Sequence, residues 1–327
     1  MPEYEIVDGE DGQLLKEKFT TCFRTGYVRI KGCVLPEHYL KFTDQIRDMK
    51  VRDEDIWVCS FPKTGTTWTQ EMVWCIANDL DFEGAKVNLP QRFPFLDHTP
   101  LFDYGDLFDR IPEMRNLPEY VTDSVGHIDR LPSVRHIKTH LPFQLLPQQL
   151  QERTTKAKIV YVARNPKDTC LSYFHHCVLM EGYTGKFEEF AELFLNNSLC
   201  FAPYASNILG FWERRNDPNI LFIRFEDLKK DLPSVIRKTA KFLNKDLSDE
   251  QVSRLSEHLS FESMKNNRAV NYEEVVEINK KFKLIEADGC FMRSGKVGEW
   301  KAKMSPQLID RFDKWTEKYF ANSGLTF

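Results

Sequence analysis

A short stretch around residue 63 combines the residue types that hold an anion. Residues 60–68 read SFPKTGTTW, so a lysine, a glycine and three threonines separate an apolar run from a tryptophan. Glycine lets the backbone approach a ligand closely, and amides at the start of a helix point towards negative charge. Lys63, Thr66 and Thr67 add side-chain donors. The stretch predicts a phosphate or sulfate site, although an ordinary turn with a solvated lysine has the same composition.

The same stretch is not a Walker A loop. That motif reads G-x-x-x-x-G-K-[ST], with lysine directly after the second glycine. Here Lys63 precedes Gly65 by two residues, and no glycine occurs between 55 and 64. The sequence therefore favours a different kind of anion site from that of the P-loop nucleotide hydrolases.

A lysine and a histidine stand two residues apart in the segment KTHLP, residues 138–142. On an extended chain, Lys138 and His140 point to the same side of a sheet. A histidine of near-neutral pKa can take a proton from a hydroxyl group, and a neighbouring lysine can stabilise the charge that develops in a transfer reaction. A histidine that only caps the edge of the sheet remains the alternative.

Two further segments carry groups that suit a second phosphate. In YVARNPKDTCLSYFHH, Arg164 ends an apolar run, and Ser172 follows Asn165 by two helical turns. Arg164 could equally pair with an acid such as Asp168. The segment 291–301, FMRSGKVGEWK, is basic and glycine-rich and could fold over a phosphate.

These motifs sit between apolar runs that alternate with helical patterns. Strands are predicted over 55–61, 134–140, 158–164 and 219–227, and helices over 67–79, from Pro166 to about 181, from about Pro233 to 259, and from Pro306 to about 320. Alternation of this kind predicts an α/β fold: one central parallel sheet with helices on both faces, and a P-loop-like strand–loop–helix unit whose connecting loop is 60–67. Ligands of such sheets bind beyond the carboxyl ends of the strands.

Composition narrows the function further. The chain has 327 residues and a net charge of −4, so no overall basic field attracts nucleic acid or an anionic membrane surface. The first residues are acidic and lack the apolar core of a secretory signal, and no run approaches the ~20 apolar residues that span a bilayer. Eight dispersed cysteines without zinc spacing predict a cytoplasmic location and no metal. We expect a single domain over 1–327, with 1–20 as a flexible N-terminus.

Together and in this order, the four segments between about 55 and 301 closely resemble the cytosolic sulfotransferase family. The resemblance implies transfer of a sulfuryl group from 3′-phosphoadenosine 5′-phosphosulfate (PAPS) to a hydroxyl group of a small hydrophobic acceptor, without a metal. It implies an in-line displacement in which His140 is the general base and Lys63 and Lys138 stabilise the migrating group. It also implies the donor contacts, which comprise Lys63, Thr64, Gly65, Thr66, Thr67, Trp68, Arg164, Ser172, Tyr204, Phe261, Phe291, Met292, Arg293, Ser294 and Gly295.

The chain departs from the family pattern at three places. Ser294 stands where the family often has lysine, and Leu259 stands where many members have threonine, so donor affinity is expected to differ. The family's dimer motif is matched only loosely by Lys301, Ser305, Pro306 and Asp310, so the resemblance implies a homodimer through a degenerate motif.

The acceptor side is expected in FPFLDHTPLFDYGDLF, residues 93–108. The resemblance places Phe95 and His98, together with Lys138 and His140, against the acceptor, and the long segment 98–134 suggests a lid over an apolar pocket. Aromatic residues that simply form core are the alternative. Two other functions remain open from the sequence: an ATP-dependent small-molecule kinase and a non-catalytic carrier of PAPS or another small ligand. A reaction in which sulfate serves only as a leaving group, so that the acceptor is dehydrated, is also open.

Overall fold

The computed structural model describes residues 3–19 and 23–327. The strands are β1 Tyr4–Ile6, β2 Tyr27–Ile30, β3 Cys33–Pro36, β4 Ile56–Cys59, β5 His136–Thr139, β6 Lys158–Ala163 and β7 Ile220–Arg224. The α-helices are α1 Gly9–Phe19, α2 Thr43–Arg47, α3 Thr66–Ala77, α4 Leu89–Arg92, α5 His98–Leu101, α6 Gly105–Arg110, α7 Glu119–Thr122, α8 Ser124–Arg130, α9 Gln148–Gln151, α10 Pro166–His176, α11 Phe187–Leu195, α12 Tyr204–Trp212, α13 Phe225–Lys230, α14 Leu232–Phe242, α15 Asp249–His258, α16 Phe261–Asn266, α17 Glu273–Lys281 and α18 Pro306–Phe320. No helix of the described residues is long and apolar enough to cross a membrane.

A four-stranded parallel sheet organises the domain, in the order β5-β4-β6-β7. Successive residues of a strand face opposite sides of the sheet, and each face is covered by its own apolar core. Trp57 and Cys59 belong to one core, whereas Ile56 and Val58 belong to the other. Both faces of the strands are therefore buried, as the apolar runs predict, and the α/β fold class is confirmed.

Helix and strand boundaries agree with the sequence at the capped ends. Asn165 accepts a hydrogen bond from the amide of Lys167 at 3.0 Å, and Ser305 caps the last helix. The strand predicted to reach 227 instead ends at Arg224, because the acidic residues Glu226 and Asp227 form the first turn of α13 and Asp227 pairs with Arg224. The helix predicted to reach 181 is α-helical only to His176 and continues as a π-helix over Cys177–Glu181.

The N-terminal segment packs on the sheet domain. β1 pairs antiparallel with β2, and β2 with β3. In α1, Leu15 and Phe19 are buried in the larger of the two cores. The flexible N-terminus expected over 1–20 is therefore corrected for residues 3–19, because α1 buries Leu15 and Phe19 and the exposed strand β1 is paired with β2. Residues 1, 2 and 20 lie outside the described residues.

Candidate active site

A cavity of about 400 Å³ opens beyond the carboxyl ends of β4, β5 and β6. Most of the residues that the sequence singled out line it. They are Lys63, Gly65, Thr66, Thr67, Trp68, Phe95, His98, Lys138, His140, Arg164, Ser172, Phe261, Phe291, Met292, Arg293, Ser294 and Gly295. The tertiary structure thus brings four distant segments to one cavity, at the sheet edge where an α/β fold is expected to bind its ligand.

The loop between β4 and α3 is held in an unusual backbone conformation. Lys63 has φ 68° and Gly65 has φ 109°, both in the left-handed region that favours glycine. A Cβ atom on Gly65 would lie 2.8 Å from the ring of Phe225, so both the backbone angle and the space require glycine. The hydroxyl groups of Ser60 and Thr66 are hydrogen-bonded at 2.7 Å. The loop consequently presents the amide groups at the start of α3 to the cavity.

Lys63 and Lys138 approach the cavity from neighbouring strand ends. The Nζ atom of Lys63 lies 3.6 Å from the ring centre of Phe291, and that of Lys138 lies 4.0 Å from the ring centre of Phe95. Burial, together with the charges of Lys138 and Arg164, lowers the pKa of Lys63 to about 7. Burial also lowers the pKa of Lys138 to about 8, against the opposing effect of Asp97 and Glu181. The cavity therefore disfavours the charged form of both lysines, and a bound anion would stabilise that charged form.

His140 follows β5 and is fixed on both sides. Its Nδ1 atom donates to the carbonyl oxygen of Ser60 at 2.8 Å, which leaves Nε2 as the nitrogen with a free lone pair. The carboxylate of Asp97 accepts from the amide of His140 at 2.6 Å and from the hydroxyl of Thr139 at 2.7 Å. Burial and the neighbouring Lys138 hold the pKa of His140 well below its ordinary value. A neutral, oriented imidazole of this kind can accept a proton.

Arg164 and Ser172 lie at the opposite side of the loop from Lys138. The guanidinium group of Arg164 donates to the carbonyl oxygens of Lys63 at 3.3 Å and Lys296 at 2.8 Å, and it lies 4.3 Å from the ring centre of Phe225. The carboxylate of Asp168 accepts from the amides of Gly298 and Glu299. The carboxylate of Asp168 thus forms its hydrogen bonds with the backbone of the segment 291–301 and not with Arg164, which was the alternative.

That segment folds back over the cavity as the sequence suggested. Arg293 forms an ion pair with Glu299 at 2.5 Å, and the hydroxyl of Ser294 donates to the same carboxylate at 2.8 Å. Gly295 has φ 60°, and a Cβ atom there would lie 2.5 Å from the ring of Phe261. The glycine thus lets residues 293–295 lie directly on Phe261, so the two predicted donor-contacting segments form one wall.

Two of the predicted donor contacts lie beneath the cavity. The side chain of Thr64 is fully buried and donates to the carbonyl oxygens of Phe61 at 2.9 Å and Val162 at 2.8 Å. Tyr204 is fully buried in the core, and its hydroxyl donates to the carbonyl oxygen of Arg164. The side chains of Thr64 and Tyr204 are therefore corrected from ligand contacts to supports, because they fasten the backbone that carries Lys63 and Arg164.

Aromatic side chains surround the other half of the cavity. Phe95 contacts the ring of His140 at 5.1 Å between centroids and forms a β-bridge with Lys138. The Nε2 atom of His98 is hydrogen-bonded to the hydroxyl of Tyr104 at 2.9 Å, and burial lowers the pKa of His98 to about 3. Several lining residues were not singled out from the sequence, namely Phe23, Leu101, Phe102, Leu117, Pro118, Tyr120, Val121, Glu181, Phe201, Val275 and Ile278.

Part of the missed set had a signal in the sequence. Leu117, Pro118, Tyr120 and Val121 fall in the segment 98–134, whose length had suggested a lid, and they line the cavity. Phe201 and Glu181 had no such signal. Phe201 reaches the site through a left-handed backbone at φ 67°, and Glu181 through the π-helix that ends α10.

One cluster of potential metal ligands occurs among the described residues, outside the cavity. Donor atoms of Glu71, Cys75 and His258 lie within 4.8 Å of one another. The carboxylate of Glu71 already accepts from Arg92 at 2.5 Å and from Nε2 of His258 at 2.7 Å. Since a guanidinium group neutralises this carboxylate, the cluster is an ion-pair network that joins α3 to α4 and α15.

Comparison with known proteins identifies the family. A family model described as "Sulfotransferase domain" matches residues 53–324. The chain belongs to the sulfotransferase family. It is 44% identical over 318 residues to the luciferin sulfotransferase of Photinus pyralis, which covers 97% of this chain and 85% of that protein. It is 34% identical over 306 residues to the amine sulfotransferase of Oryctolagus cuniculus, covering 92% of each chain.

Solved structures agree with this assignment. Retinol dehydratase, in complex with retinol and PAP, has a TM-score of 0.89 and 34% identity, and the match covers 100% of both chains. The same enzyme with androsterone and PAP gives the same score and identity, covering 100% of this chain and 99% of that one. PAP in these neighbours is consistent with PAPS as the donor, and the chain is a sulfotransferase enzyme.

Proposed function

We propose that this sulfotransferase moves the sulfuryl group of PAPS to a hydroxyl group of a small hydrophobic acceptor. The observation that carries the proposal is the convergence of Lys63, Lys138 and His140 on one cavity. One half of that cavity has the anion-binding loop and Arg164, and the other half is aromatic. A nucleotide with two anionic groups, the 3′-phosphate and the 5′-phosphosulfate, fits the first half, and an apolar alcohol or phenol fits the second.

The donor is expected to lie along the loop. The backbone amides of residues 65–67 and the hydroxyl groups of Thr66 and Thr67 would hold the 5′-phosphosulfate, and Arg164, Ser172 and Arg293 the 3′-phosphate. Trp68 and Phe261 line the same half of the cavity and offer flat apolar surfaces to the adenine. Arg293 would have to exchange part of its ion pair with Glu299 for the phosphate.

The chemical step is an in-line displacement. Nε2 of His140 takes the proton of the acceptor hydroxyl while its oxygen attacks sulfur. The bond from sulfur to the bridging oxygen breaks, and its electron pair stays on the 5′-phosphate of the PAP product. Lys63 and Lys138 stabilise the negative charge that grows on the bridging oxygen and the sulfuryl oxygens.

The acceptor class follows from the walls of the second half. Phe95, Phe102, Leu117, Tyr120 and Phe201 offer an apolar surface that matches an aromatic or polyene skeleton. The relative from Photinus pyralis is named for luciferin, and the retinol dehydratase structure holds retinol, so both relatives are associated with small organic molecules. The latter also supports a second candidate function, in which the sulfate ester loses sulfate and the net reaction is dehydration.

The other functions left open by the sequence are less well supported. A kinase needs a phosphate loop with the Walker A spacing, which residues 60–68 lack. A carrier has no use for a neutral histidine whose tautomer is fixed by a hydrogen bond to Ser60. The homodimer and the cytoplasmic location remain proposals. Ser305 and Pro306 of the loose dimer motif cap and open α18, so that motif is also explained by helix initiation.

A panel of acceptors with labelled PAPS tests the proposal. Phenols, sterols, retinoids and amines are incubated with enzyme and [³⁵S]PAPS, and products are separated by chromatography with mass detection. Label in an organic sulfate supports sulfation. Label only in free sulfate, together with a dehydrated acceptor, supports the second candidate. PAPS left intact with every acceptor, while labelled ATP phosphorylates one of them, would overturn the proposal in favour of a kinase.

A further inference from the structure

Glu181 is a carboxylate in a cavity whose chemistry is otherwise devoted to anions. It lines the cavity, yet its side chain is only 8% exposed. It ends the π-helix Cys177–Glu181, and Gly182 follows with φ 76°, so the chain turns sharply after it. Single π-turns at the end of α-helices are frequent at functional sites. The mechanism above gives this buried acid no role.

Arg24 holds Glu181 from outside the sheet domain. Its Nη1 atom lies 2.5 Å from the Glu181 carboxylate, its side chain is 2% exposed, and Arg24 precedes the part of the chain that the family model matches. Its Nε atom donates to the carbonyl oxygen of Leu101 at 3.1 Å, and its guanidinium group lies 4.9 Å from the ring centre of Phe102. Arg24 therefore joins the N-terminal segment to Glu181 and, through Leu101 and Phe102, to the aromatic half of the cavity.

A chain of contacts leads from Glu181 to the loop lysine. The Nε2 atom of His176 lies 3.2 Å from the Glu181 carboxylate, and the ring of His176 meets the edge of Phe291 at 5.7 Å. The Nζ atom of Lys63 in turn lies 3.6 Å from the ring centre of Phe291. Burial lowers the pKa of His176 to about 4, so at neutral pH His176 is an uncharged donor between the acid and the lysine.

We propose that the carboxylate of Glu181 keeps Lys63 and Lys138 positively charged by offsetting the buried cation Arg24, which makes Glu181 a positioning residue. This inference rests on the proposed function, because it assigns Lys63 and Lys138 to the anion. Glu181 acts through the field it exerts on the lysines and does not touch the reacting atoms.

The electrostatics of the neighbours agree with this role. Burial alone would raise the pKa of Glu181, but Arg24 and the hydrogen bond from His176 outweigh burial and hold that pKa below its ordinary value. Asp97 and, after it, an ionised Glu181 raise the pKa of Lys138, and Glu181 also acts in the same direction on the pKa values of Lys63 and His140. The other ionisable groups that face Glu181 are Tyr173 and Cys177 on its own helix and Tyr27 and Cys200 from other elements, and burial raises the pKa of all four. These four groups are therefore uncharged between pH 6 and pH 9, which leaves Glu181 and Arg24 as the charges of this network.

The test measures the affinity of PAP and the protons taken up when it binds. Titration calorimetry is run in buffers of different ionisation enthalpy, at about pH 6 and about pH 8.5, on either side of the pKa of Lys63. Glu181→Gln removes the negative charge and keeps the shape. At about pH 6 Lys138 stays protonated in the variant and Lys63 is still about half protonated, so the affinity should change by less than about threefold. At about pH 8.5 the variant should bind PAP about tenfold more weakly and take up more protons, because a one-unit fall in pKa is a tenfold change.

Two further variants make the result specific. Glu274→Gln neutralises another carboxylate that lines the cavity but pairs with Asn88, and it should leave the proton uptake at the wild-type value. The double change Arg24→Met with Glu181→Gln removes a cation and an anion together. It should return the proton uptake towards wild type, and it provides a neutral pair if Glu181→Gln alone does not fold.

The outcomes are separable. Equal weakening at both pH values, or proton uptake unchanged by Glu181→Gln, would overturn the positioning role and leave the proposed function standing. Failure of the wild-type enzyme to bind PAP at either pH would instead remove the proposed function.

Discussion

The two halves of the cavity are built in different ways. The donor half comes from contiguous motifs at the ends of adjacent parallel strands, namely the loop 60–68 after β4 and Arg164 after β6. The acceptor half comes from side chains dispersed over the chain, from Phe23 to Ile278, and includes residues of the short helices α5 and α7. The first half is charged and rich in backbone donors, and the second is mostly aromatic.

This difference teaches how the fold divides its tasks. Phosphate recognition requires backbone amides and cations in a fixed geometry, and strand ends in a parallel sheet supply that geometry. Apolar recognition needs only area and shape, which loops can supply from many positions and with many sequences. We therefore expect changes in the donor half to alter rate and charge-dependent affinity, and changes in the acceptor half to alter preference.

The largest effect is expected at the junction of the two halves. Replacing His140→Ala should lower kcat about 10²–10⁴-fold, the usual contribution of a general base, and leave PAP affinity nearly unchanged. Single-turnover sulfation and calorimetry with PAP measure the two quantities. The matched control is His136→Ala. His136 is a buried histidine of β5, the strand that His140 follows, and it contacts Phe93 and does not line the cavity. The control should lower the free energy of unfolding and leave kcat near the wild-type value. Turnover retained by His140→Ala would show that His140 is not the base.

The next effect concerns the far end of the donor. Arg164→Ala should weaken PAP binding about 10–100-fold, because a hydrogen bond to a charged group contributes about 1.5–3 kcal/mol. Arg224→Ala is the control. Arg224 ends β7, where it lies opposite Ala163 of β6, and it forms an ion pair with Asp227. Titration of both variants with PAP checks this. An affinity that stays at the wild-type value in Arg164→Ala would refute the assignment of Arg164.

A pH series distinguishes the charged half from the apolar half. The pKa values of Lys63 and Lys138 are lowered to about 7 and about 8, so both are protonated at low pH and lose their charge as the pH rises through those values. PAP affinity should therefore be constant below about pH 6 and fall above about pH 7, by up to about tenfold per pH unit for each proton taken up. The KM of an uncharged acceptor should stay flat over the same range. A flat PAP affinity would show that the lysines do not contact the nucleotide.

A smaller effect is expected at Gly295, whose backbone lies against the ring of Phe261. Gly295→Ala places a Cβ atom 2.5 Å from Phe261, so residues 293–295 and Phe261 have to move apart. PAP affinity should fall about tenfold, because overpacking costs about 1–3 kcal/mol. Gly298→Ala has a similar backbone angle, φ 79°, but its Cβ atom would meet only Lys301 at 3.8 Å. Backbone strain alone would weaken both variants equally, whereas the contact with Phe261 predicts a loss in Gly295→Ala only.

The smallest effect belongs to the acceptor wall. Tyr120→Ala removes one lining side chain, and it should change the ratio of kcat/KM between a bulky and a small acceptor about fivefold, at the scale of one partly buried apolar group. PAP affinity should not change. Tyr319→Ala, which removes a tyrosine that packs on Trp315 outside the cavity, is the control. If the ratio shifts equally in both variants, the segment 98–134 does not select the acceptor.

The sequence by itself determined the donor half and the fold that carries it. The apolar runs, the cap at Asn165 and the loop with Gly65 are local patterns, and local patterns fix strands, helix starts and left-handed turns through sterics and short-range hydrogen bonds. The loop, Lys138, His140 and Arg164 could be named for that reason. Thr64 and Tyr204 could be named but not placed, because a hydroxyl group looks the same in a sequence whether it donates to a ligand or to the carbonyl oxygens of Phe61 and Arg164.

Only the tertiary structure decided the acceptor half and the charge network behind it. Phe23, Phe201 and Ile278 have no local signal, because an apolar side chain that lines a cavity obeys the same pattern as one that fills a core. The ion pair between Arg24 and Glu181 joins residues 157 positions apart, and the π-turn that ends at Glu181 has no signature in the sequence. Long-range charge pairs depend on where the chain returns in space, and that is settled only when the cores on both faces of the sheet have packed.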